Sequence, residues 1–253
     1  MTWYNDKDMN QDIVKNIDSV QRRIVKACAA SGRNPDEVKL LLATKTVPVA
    51  RIKVALEAGY TLIAENKIQE LKEKFEGLKE LLHVNHFIGH LQSNKIKEVL
   101  KYDVTCIQSL DRYDLAEKLH HRLLLEGRQM EVFIQVNTSY EESKYGVSPN
   151  DVLALVEKVS KLNTIRIKGL MTIGMLSNKA EKVRKCFRLL KEIQQKIISN
   201  NFDHVNMHEL SMGMSGDMEI AIEEGATMIR IGTAIFGNRP TPDSFYWDEN
   251  NRV

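Results

Sequence analysis

The sequence predicts an α/β protein: a single (β/α)8 TIM barrel with an extra N-terminal helix. Three observations carry this. Eight short apolar runs of strand length alternate with longer segments of helical period. The 253 residues match the roughly 250 typical of such a barrel. No stretch rich in Pro, Gly or Ser divides the chain, so residues 1–253 read as one domain. An open doubly wound sheet would show the same alternation, and it is the length that favours closure.

Residues 1–32 form the leading helical segment. Over Gln11–Ala30, Ile13, Ile17, Val20, Ile24 and Cys28 recur at helical spacing, and Gly32 supplies the stop. Val38–Thr44 is the first strand, its core Leu40-Leu41-Leu42-Ala43 continuously apolar as in a parallel strand covered on both faces. A helix over Ala50–Ala58 leads to the strand Thr61–Ala64, and a helix over Ile68–Leu82 to the strand Asn85–Ile88. Asn94–Leu100 precedes Val104–Ile107, and Leu115–Leu125 precedes the nearly unbroken apolar run within Glu131–Val136. Asp151–Leu162 leads to Ile165–Met171, where Arg166 and Lys168 alternate with isoleucines. The helix Glu181–Ile198 carries the clearest stripe, Val183, Phe187, Leu190, Ile193 and Ile197. His208–Met212, the helix Met218–Glu224 and Thr227–Ile231 complete the set, and residues 240–253 form a polar C-terminal tail.

Charge excludes several partners. Lys and Arg total 36 against 34 Asp and Glu, so no strongly basic surface for nucleic acid is expected. Cys28, Cys106 and Cys186 lie far apart without a CxxC pair, as suits a reducing compartment. The N-terminus turns polar at once, and no apolar run approaches the roughly 18 residues of a membrane span. A cytoplasmic protein with no membrane partner is expected. His83, His86 and His90 span a strand and its exit loop without sharing a face, so no metal site is expected. His120 and His121 are expected to face solvent, and Met212 and Met214 to pack. GxGxxG, Walker A and HExxH patterns are absent from the sequence.

In such a barrel, chemistry sits past the C-terminal strand ends. Lys45 follows the buried run of the first strand. It either snorkels to water or is a partly desolvated amine able to attack an aldehyde. Gly232 and Thr233 after the last strand, with Ser211 opposite, could cradle a phosphate, although Gly232 and Gly237 also read as turn glycines. Closure would place this cradle beside Lys45, the pairing that pyridoxal 5′-phosphate (PLP) requires.

An ordered set of motifs spans about Lys39 to Arg239: Ala43-Thr44-Lys45-Thr46, Glu65-Asn66-Lys67-Ile68-Gln69-Glu70 and His86-Phe87-Ile88-Gly89-His90-Leu91-Gln92-Ser93-Asn94-Lys95. Val136-Asn137, Ser143-Lys144-Tyr145-Gly146 and Gly169-Leu170-Met171-Thr172-Ile173 follow. The set closes with Leu210-Ser211-Met212-Gly213-Met214-Ser215 and Arg230-Ile231-Gly232-Thr233-Ala234-Ile235-Phe236-Gly237. This set resembles the pyridoxal phosphate homeostasis protein family, related in fold to the N-terminal barrel of alanine racemase. The resemblance implies a Schiff-base role for Lys45, phosphate binding by Ser211, Gly232 and Thr233, and Arg230 facing the pyridine nitrogen. Asn66 and His86 would line the pocket. Ala64 and Gly216 depart from the family pattern, at positions expected to touch neither the lysine nor the phosphate.

The implied function is buffering or delivery of PLP in intracellular vitamin B6 homeostasis, by a monomer, with PLP-dependent apo-enzymes as recipients. The alternative is a PLP-dependent amino-acid racemase, which needs an acid/base group on each face of the substrate. Alanine racemase takes its second group from an added domain. This sequence ends about twenty residues after the last strand, leaving Tyr246 of the polar tail as the candidate. Lys144 reads as a surface-loop lysine or as a second aldehyde-accepting amine.

Overall fold

The computed structural model describes residues 6–238. Eight parallel strands form a closed barrel in sequence order. They are β1 (Lys39–Ala43), β2 (Leu62–Glu65), β3 (Val84–Phe87), β4 (Val104–Leu110), β5 (Met130–Gln135), β6 (Ile165–Met171), β7 (Val205–Ser211) and β8 (Met228–Ile231). The helices are α1 (Asp6–Ala30), α2 (Val49–Glu57), α3 (Ile68–Leu78), α4 (Ile96–Val99), α5 (Tyr113–Glu126), α6 (Val152–Ser160), α7 (Ala180–Asn200), α8 (Met218–Glu223) and α9 (Thr233–Phe236). Closure is made by β8 against β1, with Leu41 opposite Arg230 and Leu42 opposite Ile231. The closed form, not the open sheet, is the architecture.

Several boundaries depart from the sequence reading, among them β4, which runs on to Leu110 past the expected Ile107. The helix expected over Asn94–Leu100 divides into a 3₁₀ turn at Ser93–Lys95 and the single turn α4. The helix from Ile68 stops at Leu78, and Leu82, included by its apolar character, is 84% exposed. β7 begins at Val205, well before His208, because its first half is largely solvated and lacks an apolar run. The predicted tail, residues 240–253, lies outside the described residues, and Tyr246 with it.

Two cores result. Between sheet and helices, residues such as Leu42, Ile63, Ile107 and Ile134 pack against the helical stripes. Inside the barrel, Leu41, Ala64, Cys106, Phe133, Met171 and Met228 form a separate cluster. Strand parity sorts them, since alternate side chains point to opposite faces. Ala64 thus lies within this inner core.

The leading helix is fastened over the last two strand exits. Ile13, Ile17, Ile24 and Cys28 are buried. Asn16 Nδ2 donates to the Ile235 carbonyl at 3.0 Å, and Arg23 pairs with Glu219 at 2.6 Å while also donating to the Ser215 carbonyl at 3.2 Å. Arg33 Nη1 donates to the carbonyls of Ile222 and Ala226 at 2.7 and 2.8 Å. Among the described residues, no helix is long and apolar enough to cross a membrane.

Candidate functional site

The inward parity of β1 runs Leu41, Ala43, Lys45; that of β2 runs Leu62, Ala64, Asn66; that of β8 runs Met228, Arg230, Gly232. Each series passes from the inner core to a cavity of about 200 Å³ at the C-terminal end of the barrel. Lys45, Asn66, Arg230, Gly232 and Thr233 line it together, with Ala43, Ile88, Met171, Ile173 and Met214 as apolar walls and Ser215 and Gly216 from the β7 exit. Five of the seven residues expected from sequence therefore meet in one cavity.

Ser211 and His86 do not line it. They belong to a hydrogen-bonded chain buried within the barrel. Arg230 Nη1 donates to Ser211 Oγ at 2.9 Å, and Nη2 donates to the Thr172 carbonyl at 2.8 Å. Ser211 Oγ donates in turn to Gln108 Oε1 at 2.6 Å, and the Gln108 amide lies 2.8 Å from His86 Nδ1. Burial pushes the His86 imidazole down to about 4, with Lys39 adding to the effect, so the ring is neutral near pH 7. Nδ1 then accepts from Gln108 and the ring proton sits on Nε2. Burial also lowers Arg230, to about 10, which leaves it cationic at neutral pH. Gln108 was not singled out from sequence. Its signal is a polar side chain inside the apolar strand Val104–Leu110, where it is fully buried.

The exits of β7 and β8 build the wall that adjoins β1. Gly213 turns the chain with φ 94°, and a Cβ there would sit 2.5 Å from Ala221 Cβ. Met214 N–H donates to Asp217 Oδ1 at 2.5 Å, and Ser215 Oγ accepts from Ala234 N–H at 3.2 Å, tying the two exits together. A Cβ on Gly232 would come within 2.9 Å of the Ala43 carbonyl oxygen, so glycine lets the β8 exit close on β1. Gly216, expected to lie clear of the phosphate positions, is instead part of the cavity lining beside Gly232 and Thr233. Asn66 Oδ1 is buried without a hydrogen-bond partner, and its backbone is pressed by Gly89, where a Cβ would fall 1.8 Å from the Asn66 carbonyl oxygen.

Lys144 is a half-buried loop residue, its Nζ donating to Glu141 Oε1 at 2.7 Å and to the Gly174 carbonyl at 2.9 Å, outside the cavity lining. His120 is half-buried rather than solvent-facing, with Nδ1 2.8 Å from Thr164 Oγ1; His121 is exposed. His83 bonds the Leu81 carbonyl and His90 stacks on Tyr145 at 3.8 Å, so neither joins His86. Met212 is buried packing, whereas Met214 is cavity wall.

An amine, a buried cation, an unpartnered amide oxygen, apolar walls and a cradle of glycine and hydroxyl groups suit a flat, anionic, carbonyl-bearing ring. PLP fits this donor set. The fold and site together define a barrel of the alanine racemase N-terminal class, and residues 16–240 match the family described as "Alanine racemase, N-terminal domain". More narrowly, the chain belongs to the pyridoxal phosphate homeostasis protein family. It is 42% identical over 223 residues to the pyridoxal phosphate homeostasis protein of Aquifex aeolicus, covering 88% of this chain and 96% of the relative. PipY of Synechococcus elongatus, solved with PLP bound, superposes with a TM-score of 0.72 at 33% identity, over 85% of this chain and 100% of that one. Clostridium difficile alanine racemase superposes with a TM-score of 0.74 over 92% of this chain and 58% of that one; at 14% identity the likeness is one of fold.

Proposed function

We propose that the protein binds PLP in this cavity through Lys45 and buffers or delivers it in intracellular vitamin B6 homeostasis. The observation that carries the reading is the convergence of Lys45, Arg230 and the Ser215–Gly216 and Gly232–Thr233 exits on one cavity. PLP, when bound, supplies an aldehyde carbon and an electron-withdrawing ring. Lys45 would hold it covalently through Nζ. Gly232, Thr233, Ser215 and Gly216 would take the phosphate, the two glycines allowing close backbone approach. Asn66 Oδ1 would gain the partner it lacks. Arg230, held by Ser211 and the Thr172 carbonyl, would face the ring nitrogen, where a fixed cation disfavours protonation and weakens the ring as an electron sink.

A cation at the ring nitrogen would suit a racemase as well, so the choice rests on the second acid/base group. Racemisation needs a second acid/base group, and among the described lining residues Lys45 and Arg230 are the ionisable ones. A homeostasis protein at 42% identity also outweighs a racemase at 14%. PLP-dependent apo-enzymes would be the recipients, and a monomer would suffice.

The test is to load the full chain with PLP, reduce with borohydride and map the peptides. The pyridoxyl group is expected on Lys45, and Lys45→Ala should lose that adduct. A group found on Lys144 alone in the wild-type chain would overturn the assignment. A loaded chain that inverts alanine rapidly, by chiral chromatography, would restore the racemase reading.

A further inference from the structure

Thr46, directly after Lys45, has φ 62°. A β-branched residue adopts the left-handed region only where its surroundings impose it. The imposing groups lie behind the strand, on α3. Glu70 Oε2 accepts the Thr46 N–H at 2.5 Å. Lys74, one turn further along α3, donates to that same oxygen at 2.6 Å and to the Thr44 carbonyl at 2.8 Å. Its remaining bond goes to Glu65 Oε1 at 2.7 Å, an oxygen that also accepts from Thr44 Oγ1 at 2.6 Å. The carbonyl before Lys45 and the N–H after it are thus both held by one helix.

The cluster is deeply placed, Lys74 being 8% and Glu65 2% exposed. Buried ion clusters seldom add net stability over an apolar replacement, so stability alone is a poor reason for one here. Geometry supplies a better one. Thr44 and Glu65 have the outward parity of their strands, while Lys45 has the inward parity, so holding the former fixes the latter.

We infer that Glu70 and Lys74 are positioning residues for Lys45: through Thr44 and Thr46 they lock the left-handed turn that delivers its amine to the cavity. The inference rests on the reading of Lys45 as the attachment point. Without Glu70, Thr46 can relax to negative φ and carry the Lys45 side chain off its line.

The experiment separates the amine from the rest of the site. The full chain, Glu70→Ala and Glu70→Gln are compared in two readouts: the rate at which borohydride traps PLP on Lys45, and the affinity for pyridoxine 5′-phosphate, which has the phosphate and ring but no aldehyde. Loss of a charge-assisted bond predicts about tenfold slower trapping in Glu70→Ala or more, with the affinity for the analogue retained. Glu70→Gln keeps an oxygen for the Thr46 N–H and should recover most of the rate. Equal losses in both readouts would reduce the cluster to a general structural role, and unchanged trapping in Glu70→Ala would overturn the inference. Lys74→Met should give the same split and decides the matter if Glu70→Ala does not fold. Failure of the wild-type chain to trap PLP on Lys45 would instead overturn the proposed function.

Discussion

Arg230 and Ser211 sit on neighbouring strands with guanidinium Nη1 donating to the serine hydroxyl at 2.9 Å, and that hydroxyl donating onward to Gln108. Both roles of the hydroxyl are thereby occupied inside the barrel. The guanidinium is what this pair presents to the cavity.

Ser211→Ala therefore leaves a buried amide oxygen and a guanidinium N–H short of a partner. Unmade buried hydrogen bonds of this kind cost about 1–3 kcal/mol. Urea denaturation should register that loss, accompanied by weaker PLP retention as Arg230 loosens. A variant as stable as the wild type would show that the serine does not brace the arginine.

Gly232→Val must displace the Ala43 carbonyl, which lies 2.9 Å from the position its Cβ would take. PLP retention, followed by equilibrium dialysis, is expected to fall about tenfold or more. Thr233→Ala removes one hydroxyl from an exposed position. If that hydroxyl holds the phosphate, the loss is about 1.5–3 kcal/mol, or roughly ten- to a hundredfold in affinity. Retention unchanged in both variants would move the phosphate to another wall.

Stability should carry an acid limb from His86. Its folded value, pushed down by burial to about 4, lies below the ordinary 6.5. Between those two values the unfolded chain binds the proton and the folded chain does not, so stability falls as pH drops from about 6.5 towards 4. The full effect of that difference is about 3 kcal/mol. Glu65 works in the opposite sense. Burial raises it to about 7, against the pull of Lys74, so its contribution is lost as pH rises from about 4.5 through 7. Urea midpoints of wild type and His86→Gln at several pH values separate the two. The variant should lose less on acidification, and parallel curves would exclude His86 as the source.

The three thiols should be inert in the native state. Cys28, Cys106 and Cys186 are all buried, and burial raises each of them, which depletes the reactive thiolate. A thiol reagent at neutral pH should label them slowly in buffer and rapidly in denaturant. Fast labelling of the native chain would mean that one of the packed layers opens readily.

Much of this was legible along the chain. The run Leu40–Ala43 marked a covered strand, and the two-residue period carries Leu41, Ala43 and Lys45 inward, placing the lysine in the cavity. What lay beyond reach was contact between distant strands. That Ser211 meets Gln108 depends on how β4 and β7 are staggered around the barrel, and no local pattern records the stagger. Ser211 and Ser215 stand four residues apart in one motif. The sharp turn at Gly213 decides that the second, not the first, reaches the cavity. Glu70 and Lys74 read as an ordinary pair one helical turn apart, because their real target, the backbone on either side of Lys45, belongs to another element.

The cluster of Leu41, Ala64, Cys106, Phe133, Met171 and Met228 stoppers the barrel from within. Among the described residues this plug bars passage through the barrel, so a molecule seated above it arrives and departs on the side of the C-terminal strand ends. Loading and unloading become rival traffic. On the proposed delivery role, a recipient that covers that side would collect the cargo and block replacement in the same act, whereas one waiting in solution would compete with recapture.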